Sequence, residues 1–367
     1  MIEKIAMRKR PFVRCATLHR SLGTGWLLWI GMGIYATATA DDRRDSAEVL
    51  AVVRPLTVAT RGSVAQVMRD SRVVSLATVV DADGFLVTKR SELSGDPIRV
   101  RLSDHRIYPA RVAAVRRAND LALLQVDAPV KLTPIEFEPF MPSLGSFVIT
   151  PGRTGRPIGL GVLGAPGRRV FPRGGLGVYL EEGEGPARVS NVVSGSGAEA
   201  AGLEAGDVII QIDETQLPNS REVRSTLKRM YPGEEVRLTV VRADERSDAD
   251  SMGRANASGG ENLSSRGSSI SGRRLEVQAQ IRDLTMMSES ENDALVNGPR
   301  NNRMTGFDRV FQHDSVLEPD EVGGPVIDSR GRAIGLNIAR AGRVMTYALP
   351  ASLVMGEVRS MLQEAKR

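Results

Sequence analysis

Few side chains in this sequence can act as a general base or a nucleophile. Among 367 residues there are three histidines and one cysteine. The sequence therefore does not favour thiol catalysis or a zinc site ligated by cysteines. The run His313-Asp314-Ser315 contains the three residue types of a serine-protease relay. Because consecutive strand residues point to opposite faces, we do not expect these three to form a relay. His105 falls in a predicted turn at 103–106 and is interpreted as a solvated turn residue.

The first 40 residues have the pattern of a secretory signal. Six Lys and Arg precede an apolar run at 25–35, and the small residues of 36–40 offer a cleavage site. Cleavage after Ala40 removes Cys15 and predicts a periplasmic or otherwise extracytoplasmic protein. The alternative is an uncleaved signal that anchors the protein to a membrane, although the apolar run is shorter than the ~20 residues of a spanning helix.

The net charge of +5 does not indicate a nucleic-acid partner. The signal segment holds six of the 49 Lys and Arg and one of the 44 Asp and Glu, so the remainder carries 43 charges of each sign. A neutral chain lacks the basic surface that nucleic acid requires. No phosphate-binding loop and no metal-ligand spacing occurs, so we expect no cofactor and no metal.

Short β-branched segments at close spacing predict a mainly β protein. From residue 50 to 135 the pattern predicts strands and turns with no long helical period. Asn219 with Glu222 forms a capping box that predicts the start of a helix. The polar stretch at 244–272 predicts a disordered loop, and the strand predicted at 274–281 is expected to pair with the strand before that loop. Residues 285–306 predict a flexible linker, and 353–367 a C-terminal helix.

Several motifs occur in the same order as in one known family. They are found at 81–88, 100–112 and 119–126, again at 311–315, 323–326 and 347–350, and in the stretch 174–284. The chain thereby resembles the HtrA/Deg-type serine proteases, which combine a trypsin-like double β-barrel with PDZ domains. The resemblance implies a mainly β fold with an inserted PDZ-like α+β domain, divided into a first barrel at 48–135, a second barrel at 136–172 and 307–352, and a PDZ domain at 173–284.

The resemblance also implies that the catalytic triad is lost. Ser91 stands where the family has its histidine, three residues after Thr88, and Val322 replaces the nucleophile in Asp320-Glu-Val-Gly-Gly-Pro325. Only the aspartate is retained, as Asp120. Valine has neither a proton to give up nor a lone pair with which to attack, so a pseudoprotease is expected. Asp120 is interpreted as a hydrogen-bonded structural carboxylate.

The stretch Gly175-Leu176-Gly177-Val178 resembles the loop with which PDZ domains bind a peptide's C-terminal carboxylate. The resemblance implies that Val178, Tyr179 and Leu180 form the edge that accepts the peptide. Counting back from Leu227 places Ser220 and Arg224 at the other groove positions, where Arg224 would favour acidic or polar side chains upstream of the peptide terminus. The alternative is a PDZ-shaped domain that has lost binding.

The leading functional hypothesis is an exported pseudoprotease that binds peptides or protein C-termini through its PDZ groove, as a scaffold or quality-control adaptor. One alternative is an active serine endopeptidase that uses other residues. Another is a membrane-anchored PDZ scaffold, since a membrane partner is expected only if the signal stays uncleaved. A homo-oligomer is also compatible with the resemblance.

Overall fold

The structure is a computed structural model that describes residues 46–367 except 94, 96, 130, 184 and 244–271. The predicted signal segment, 1–40, and all but the last residue of the predicted loop at 244–272 lie outside the described residues. No helix in the described part of the chain is long and apolar enough to cross a bilayer.

A helix, α1 (Ala47–Val58), precedes the first barrel, where the sequence pattern predicted only strands. Ser46 caps it by accepting a hydrogen bond from the Val49 N–H at 3.4 Å. Pro55 lies inside the helix. In the sequence alone a proline argues against a helix, because it cannot donate the helical hydrogen bond. The Thr57 hydroxyl donates to the Gly155 carbonyl at 2.7 Å and so ties α1 to a turn of the second barrel.

The first barrel is closed by six antiparallel strands: β1 (Val64–Arg69), β2 (Arg72–Asp81), β3 (Phe85–Lys89), β4 (Arg99–Arg101), β5 (Ile107–Arg116) and β6 (Leu121–Val126). Their order around the barrel is β1-β2-β3-β6-β5-β4. The predicted turn between β2 and β3 needs glycine, because Gly84 has a φ of +95° and a Cβ there would lie 2.5 Å from the Val126 carbonyl oxygen. Alternate apolar side chains such as Val67 and Leu124 fill the barrel.

Two long strands of the second barrel follow, β7 (Phe147–Pro151) and β8 (Pro157–Val170). The chain then forms an inserted domain, 174–283, before it returns to this barrel. The elements of the inserted domain are β9 (Gly174–Gly175), β10 (Val178–Leu180), β11 (Ala187–Val192), α2 (Gly197–Ala200), β12 (Val208–Ile212), β13 (Thr215–Gln216), α3 (Ser220–Leu227), β14 (Glu235–Arg242), β15 (Arg273–Gln280) and β16 (Arg282–Asp283). Its main sheet has the order β10-β11-β12-β14-β15, and β14 pairs with β15 over eight residues, which confirms the predicted pairing across the loop.

Two short helices follow the inserted domain, α4 (Leu284–Met287) and α5 (Glu291–Asn297). The second barrel is completed by β17 (Phe307–His313), a 3-10 turn (Pro319–Glu321), β18 (Pro325–Asp328), β19 (Ala333–Gly342) and β20 (Met345–Pro350). These strands close with β7 and β8 in the order β17-β20-β19-β18-β7-β8. The predicted fold class is confirmed: a mainly β chain with two six-stranded barrels and an inserted α+β domain.

The C-terminal helix, α6 (Ala351–Ala365), was predicted at nearly the same residues and joins the two barrels. Its buried Val354, Val358 and Met361 share one apolar cluster with Leu123 of the first barrel and Leu336 of the second. Burial of such side chains is worth roughly 1.5–3 kcal/mol each. The helix therefore fixes the two barrels against each other.

Candidate functional site

The retained aspartate lies at the end of β3 and the start of β6, entirely out of solvent. One oxygen of the Asp120 carboxylate accepts from the Ser91 hydroxyl at 2.8 Å and from the Lys89 ammonium at 2.6 Å. The other accepts from the Ser91 N–H at 3.0 Å. Ser91 thus contacts the aspartate at the position that the resemblance gives to histidine. Asp120 is hydrogen-bonded and structural in its contacts, as expected.

The electrostatics of this site do not favour proton abstraction. Burial raises the pKa of Asp120, but the charges of Lys89 and Arg303 and the hydrogen bonds from Lys89 and Ser91 outweigh it and leave this pKa below its ordinary value. A carboxylate with a lowered pKa is a weak base. The Ser91 hydroxyl therefore stays protonated and has no imidazole beside it.

Val322 is fully buried directly after the 3-10 turn. Its carbonyl accepts from the Leu76 N–H at 2.7 Å, which joins the loop 319–324 to β2 of the first barrel. Gly323 has a φ of +92°, and a Cβ there would collide with the Leu76 carbonyl oxygen. The glycine that follows the nucleophile position is therefore required by the fold, whether or not catalysis takes place.

The cleft between the barrels is occupied by the chain's own segment 299–304. The Asn301 amide donates to Glu92 of the first barrel at 3.0 Å and to the Pro319 carbonyl of the second at 2.9 Å. Its oxygen accepts from the Arg340 N–H at 2.7 Å, and its own N–H donates to the Arg340 carbonyl at 3.3 Å. Asn301 is 1% exposed and Arg303 is fully buried. The predicted flexible linker at 285–306 is therefore wrong at Asn301 and Arg303, which bond across the cleft, and for the rest of the segment it stays a prediction.

The inserted domain closes the same cleft from the outside through the turn between α3 and β14. A Cβ on Gly233 would lie 3.0 Å from the Ser91 Cβ, so this turn rests against the serine. Glu234 accepts from Arg117 at 2.8 Å and from Arg90 at 3.4 Å, which holds the turn against the first barrel. The Ser91 position is thus covered by a neighbouring domain and is only 7% exposed.

A Ser–His pair does form within the run His313-Asp314-Ser315. The His313 Nδ1 lies 2.9 Å from the Ser315 Oγ, and its Nε2 lies 2.9 Å from the Asn337 Oδ1. His313 and Ser315 meet because residues two apart on a strand share a face, whereas Asp314 between them points to the other face, so the three do not form a relay. Asp314 takes no part, since it accepts from the Val162 N–H at 2.6 Å.

This Ser–His–Asn group is sealed within the second barrel. Ser315 is 1% exposed, while His313 and Asn337 are fully buried. A nucleophile must reach its substrate, so the group serves the interior of the barrel rather than catalysis. The other histidine among residues 46–367, His105, lies in an exposed turn with a φ of +68°, as predicted.

An open groove lies on the inserted domain between α3 and β10. The strand β10 is the terminal strand of its sheet and pairs only with β11 among the described strands, so its other edge is free to accept a peptide strand. A cavity of about 450 Å³ continues from this edge. Gly177 has a φ of +84° and turns the chain between Leu176 and Val178, whose backbone faces the cavity.

Residues 174–251 match the PDZ domain family. The match agrees with the sheet, the helix α3 and the glycine loop of the inserted domain, which is hereafter called the PDZ domain. A search of curated proteins gives no match to the chain.

The structure brings together most of the residues predicted to line the PDZ groove. The cavity is lined by Gly175, Leu176, Gly177, Val178, Tyr179, Arg224 and Leu227. Ser220 does not line it: this residue is 1% exposed and its hydroxyl donates to the Pro186 carbonyl at 3.2 Å. The reason is that Ser220 is the first residue of α3 and packs against the preceding loop.

The side chain of Arg224 extends from α3 to the C-terminal end of β10. Its guanidinium donates to the Glu181 carbonyl at 2.8 Å and to the Leu180 carbonyl at 3.4 Å. This contact narrows the groove at the end distant from the glycine loop. The preference of Arg224 for acidic side chains stays a prediction, since part of the guanidinium is already used by the protein itself.

The sequence analysis missed the residues that close the other end of the groove. Leu284 and Met287 of α4 line the cavity beside the glycine loop, and a Cβ on Gly175 would lie 2.5 Å from the Leu284 Cδ2. The sequence did contain a signal: three of the four residues of Leu284-Thr-Met-Met287 are apolar, which indicates packing against another element rather than a solvated linker. With Leu176 and Leu227 these side chains make the terminal pocket apolar.

Proposed function

We propose that this chain is an HtrA-like pseudoprotease, exported from the cytoplasm, that acts as a peptide-binding scaffold or quality-control adaptor. The observation that carries the proposal is the contrast between its two clefts. The cleft between the barrels is filled by Asn301 and covered at Ser91, whereas the groove of the PDZ domain is open.

The groove favours a peptide with a free C-terminus and an apolar last residue. The N–H groups of Leu176 and Gly177 donate to no other described residue, so they are available to a carboxylate. Lys228, which lines the same cavity, adds a positive charge. The apolar side chains of Leu227, Leu284 and Met287 suit an aliphatic or aromatic terminal side chain.

The first test is binding to decapeptides that end in Val, Leu or Phe. We expect binding with a free terminal carboxylate and loss of detectable binding when the same peptides are amidated, measured by fluorescence anisotropy. Lys228→Glu places a negative charge in the cavity and is expected to weaken binding about fivefold or more. Arg229→Glu, the same change on the next exposed residue, lies outside the cavity and is the matched control. Equal binding of free and amidated peptides would contradict a PDZ-type mode.

The second test concerns catalysis. The chain of residues 41–367 is expected to resist labelling by a fluorophosphonate and to leave unfolded casein intact, beside an active serine protease as positive control. The double variant Ser91→His, Val322→Ser is also expected to be inactive, because Asn301 still fills the cleft and Gly233 leaves no room for an imidazole. Circular dichroism establishes that each variant is folded. Labelling of the natural chain at a mapped serine would support an active endopeptidase instead.

A further inference from the structure

A second cavity, of about 360 Å³, lies where the end of β8 meets the residues after the PDZ domain and the β19–β20 hairpin. Its walls carry three arginines, Arg168, Arg169 and Arg173, and its apolar lining includes Met304 and Met345. We name it the arginine pocket. It shares no lining residue with the PDZ groove.

The charges of the arginine pocket are not balanced by the residues that line it. No Asp or Glu is among its lining residues in the described part of the chain. Arg168 donates to the Gln312 amide oxygen at 2.7 Å, a neutral acceptor, and the Arg169 guanidinium stacks on the Phe171 ring at 5.1 Å. Arg173 has no carboxylate partner among the described residues.

The nearest buried carboxylate is already satisfied. Asp283 is fully buried and accepts from the Thr285 N–H at 2.9 Å and from the Thr305 hydroxyl at 2.7 Å. Both threonines line the pocket, and the Thr305 hydroxyl also accepts from the Arg173 N–H at 3.1 Å, so the donors left for a ligand are the guanidiniums. The pocket therefore offers several donors and no anionic acceptor, which is the requirement for binding an anion.

The residue types around the pocket indicate which class of molecule presents the anionic group that binds there. Arginine, aromatic side chains and methionine are enriched at the cores of protein–protein interfaces, where lysine and carboxylates are depleted. The lining follows this composition, with Tyr347 stacked against Arg168 at 5.5 Å and Phe171 exposed by 68% at the rim. A protein that binds a flat membrane surface presents a convex basic face to it. The arginine pocket is concave, which favours a protein segment over a membrane.

We propose that the arginine pocket binds an acidic segment of a partner protein, with carboxylates on the guanidiniums and an apolar side chain over Met304 and Met345. The site does not depend on the PDZ groove. The short helix α4 separates the two, since Thr285 faces the arginine pocket while Leu284 and Met287 face the groove. A partner that reaches both sites gains affinity through effective concentration.

The test uses a decapeptide of alternating Glu and Leu with both termini blocked, so that it cannot use the carboxylate loop of the PDZ domain. We expect it to bind residues 41–367 in a fluorescence anisotropy titration. The double variant Arg169→Glu, Arg173→Glu is expected to weaken binding at least tenfold, because two guanidinium contacts become repulsive. Both side chains are exposed, so the fold tolerates the change. Arg359→Glu on α6 reverses one charge outside the pocket and should leave binding unaltered.

Three further measurements distinguish the possible ligands. A blocked decapeptide of alternating Lys and Leu should not bind. The second is sedimentation with phosphatidylglycerol vesicles. If the protein sediments with the vesicles in a way that depends on Arg169 and Arg173, and does not bind the Glu–Leu peptide, the ligand is a lipid surface and the proposal is overturned. Inorganic phosphate binding alone, or peptide binding that survives the double variant, would overturn it too. Lys228→Glu should leave the blocked peptide bound, so failure of the PDZ groove and failure of this site are told apart.

Discussion

Replacement of Asp120 by asparagine is expected to lower the free energy of unfolding by about 3–5 kcal/mol. The substitution removes the counter-charge of Lys89, which is fully buried with its ammonium 2.6 Å from the carboxylate. Arg303, also fully buried, lies 3.8 Å from the same group. Two buried cations would then lack their anion, and an uncompensated buried charge is among the most destabilising changes a core can suffer.

The measurement is urea denaturation followed by far-ultraviolet circular dichroism. Asp104→Asn is the matched control: this exposed aspartate also accepts a backbone hydrogen bond, from Arg106 at 2.9 Å, and its loss should cost less than about 0.5 kcal/mol. If Asp120→Asn does not fold, the double variant Lys89→Met, Asp120→Asn tests the cause, because it removes one buried charge together with its partner. Recovery of stability in the double variant is expected. A cost equal to that of Asp104→Asn would contradict the argument.

The same carboxylate also shows how far the sequence could predict this site. The resemblance placed Ser91 at the family's histidine position, three residues after Thr88, and in the structure its hydroxyl lies 2.8 Å from the Asp120 carboxylate. The burial of Lys89 was not predicted, since a lysine at a strand end is ordinarily solvated. Its partner Asp120 lies 31 residues away along the chain, and its second acceptor, the Arg303 carbonyl, lies 214 residues away. Local patterns carry no information on contacts of that separation.

The segment 285–306 illustrates the same limit. Its polar composition is typical of a linker, yet Asn301 and Arg303 are buried because each bonds to elements distant in sequence. The strands of the barrels and the paired strands of the PDZ domain were predictable because their alternation is local. What could not be predicted is which polar residues fill the cleft that those elements leave between them.

The largest expected pH effect belongs to His313. Burial lowers the pKa of this imidazole to about 4, although the hydrogen bond to Asn337 and the charge of Asp314 oppose the shift. The Asn337 amide donates to the Thr150 hydroxyl at 3.0 Å, so its oxygen accepts from the Nε2–H of His313, and Nδ1 accepts the Ser315 proton. A second proton on the ring would require the Ser315 hydroxyl to change from donor to acceptor and would place a charge in a dry core.

The sign of the effect follows from proton uptake. Unfolded, this histidine has a pKa near 6.5, so between about pH 6.5 and 4 the unfolded chain binds a proton that the native protein excludes. The stability present above pH 6.5 is therefore lost as the pH falls, by about 3 kcal/mol at pH 4. The variant His313→Gln has no imidazole at this position. Between pH 7 and pH 4 its free energy of unfolding should therefore fall by about 3 kcal/mol less than that of the natural protein. Urea denaturation at the two pH values measures this difference.

His105 provides the control for this titration. It is exposed in a turn outside the barrels, so His105→Gln is the matched histidine-to-glutamine exchange at a site with no buried imidazole. Carboxylates also titrate towards pH 4, but they contribute equally to all three proteins and cancel in the comparison. Identical pH dependence in the natural protein and His313→Gln would mean that the imidazole is accessible to protons in the native barrel. The Ser315 hydroxyl would then have a titratable base beside it, and the sealed interior assigned to this group would have to open.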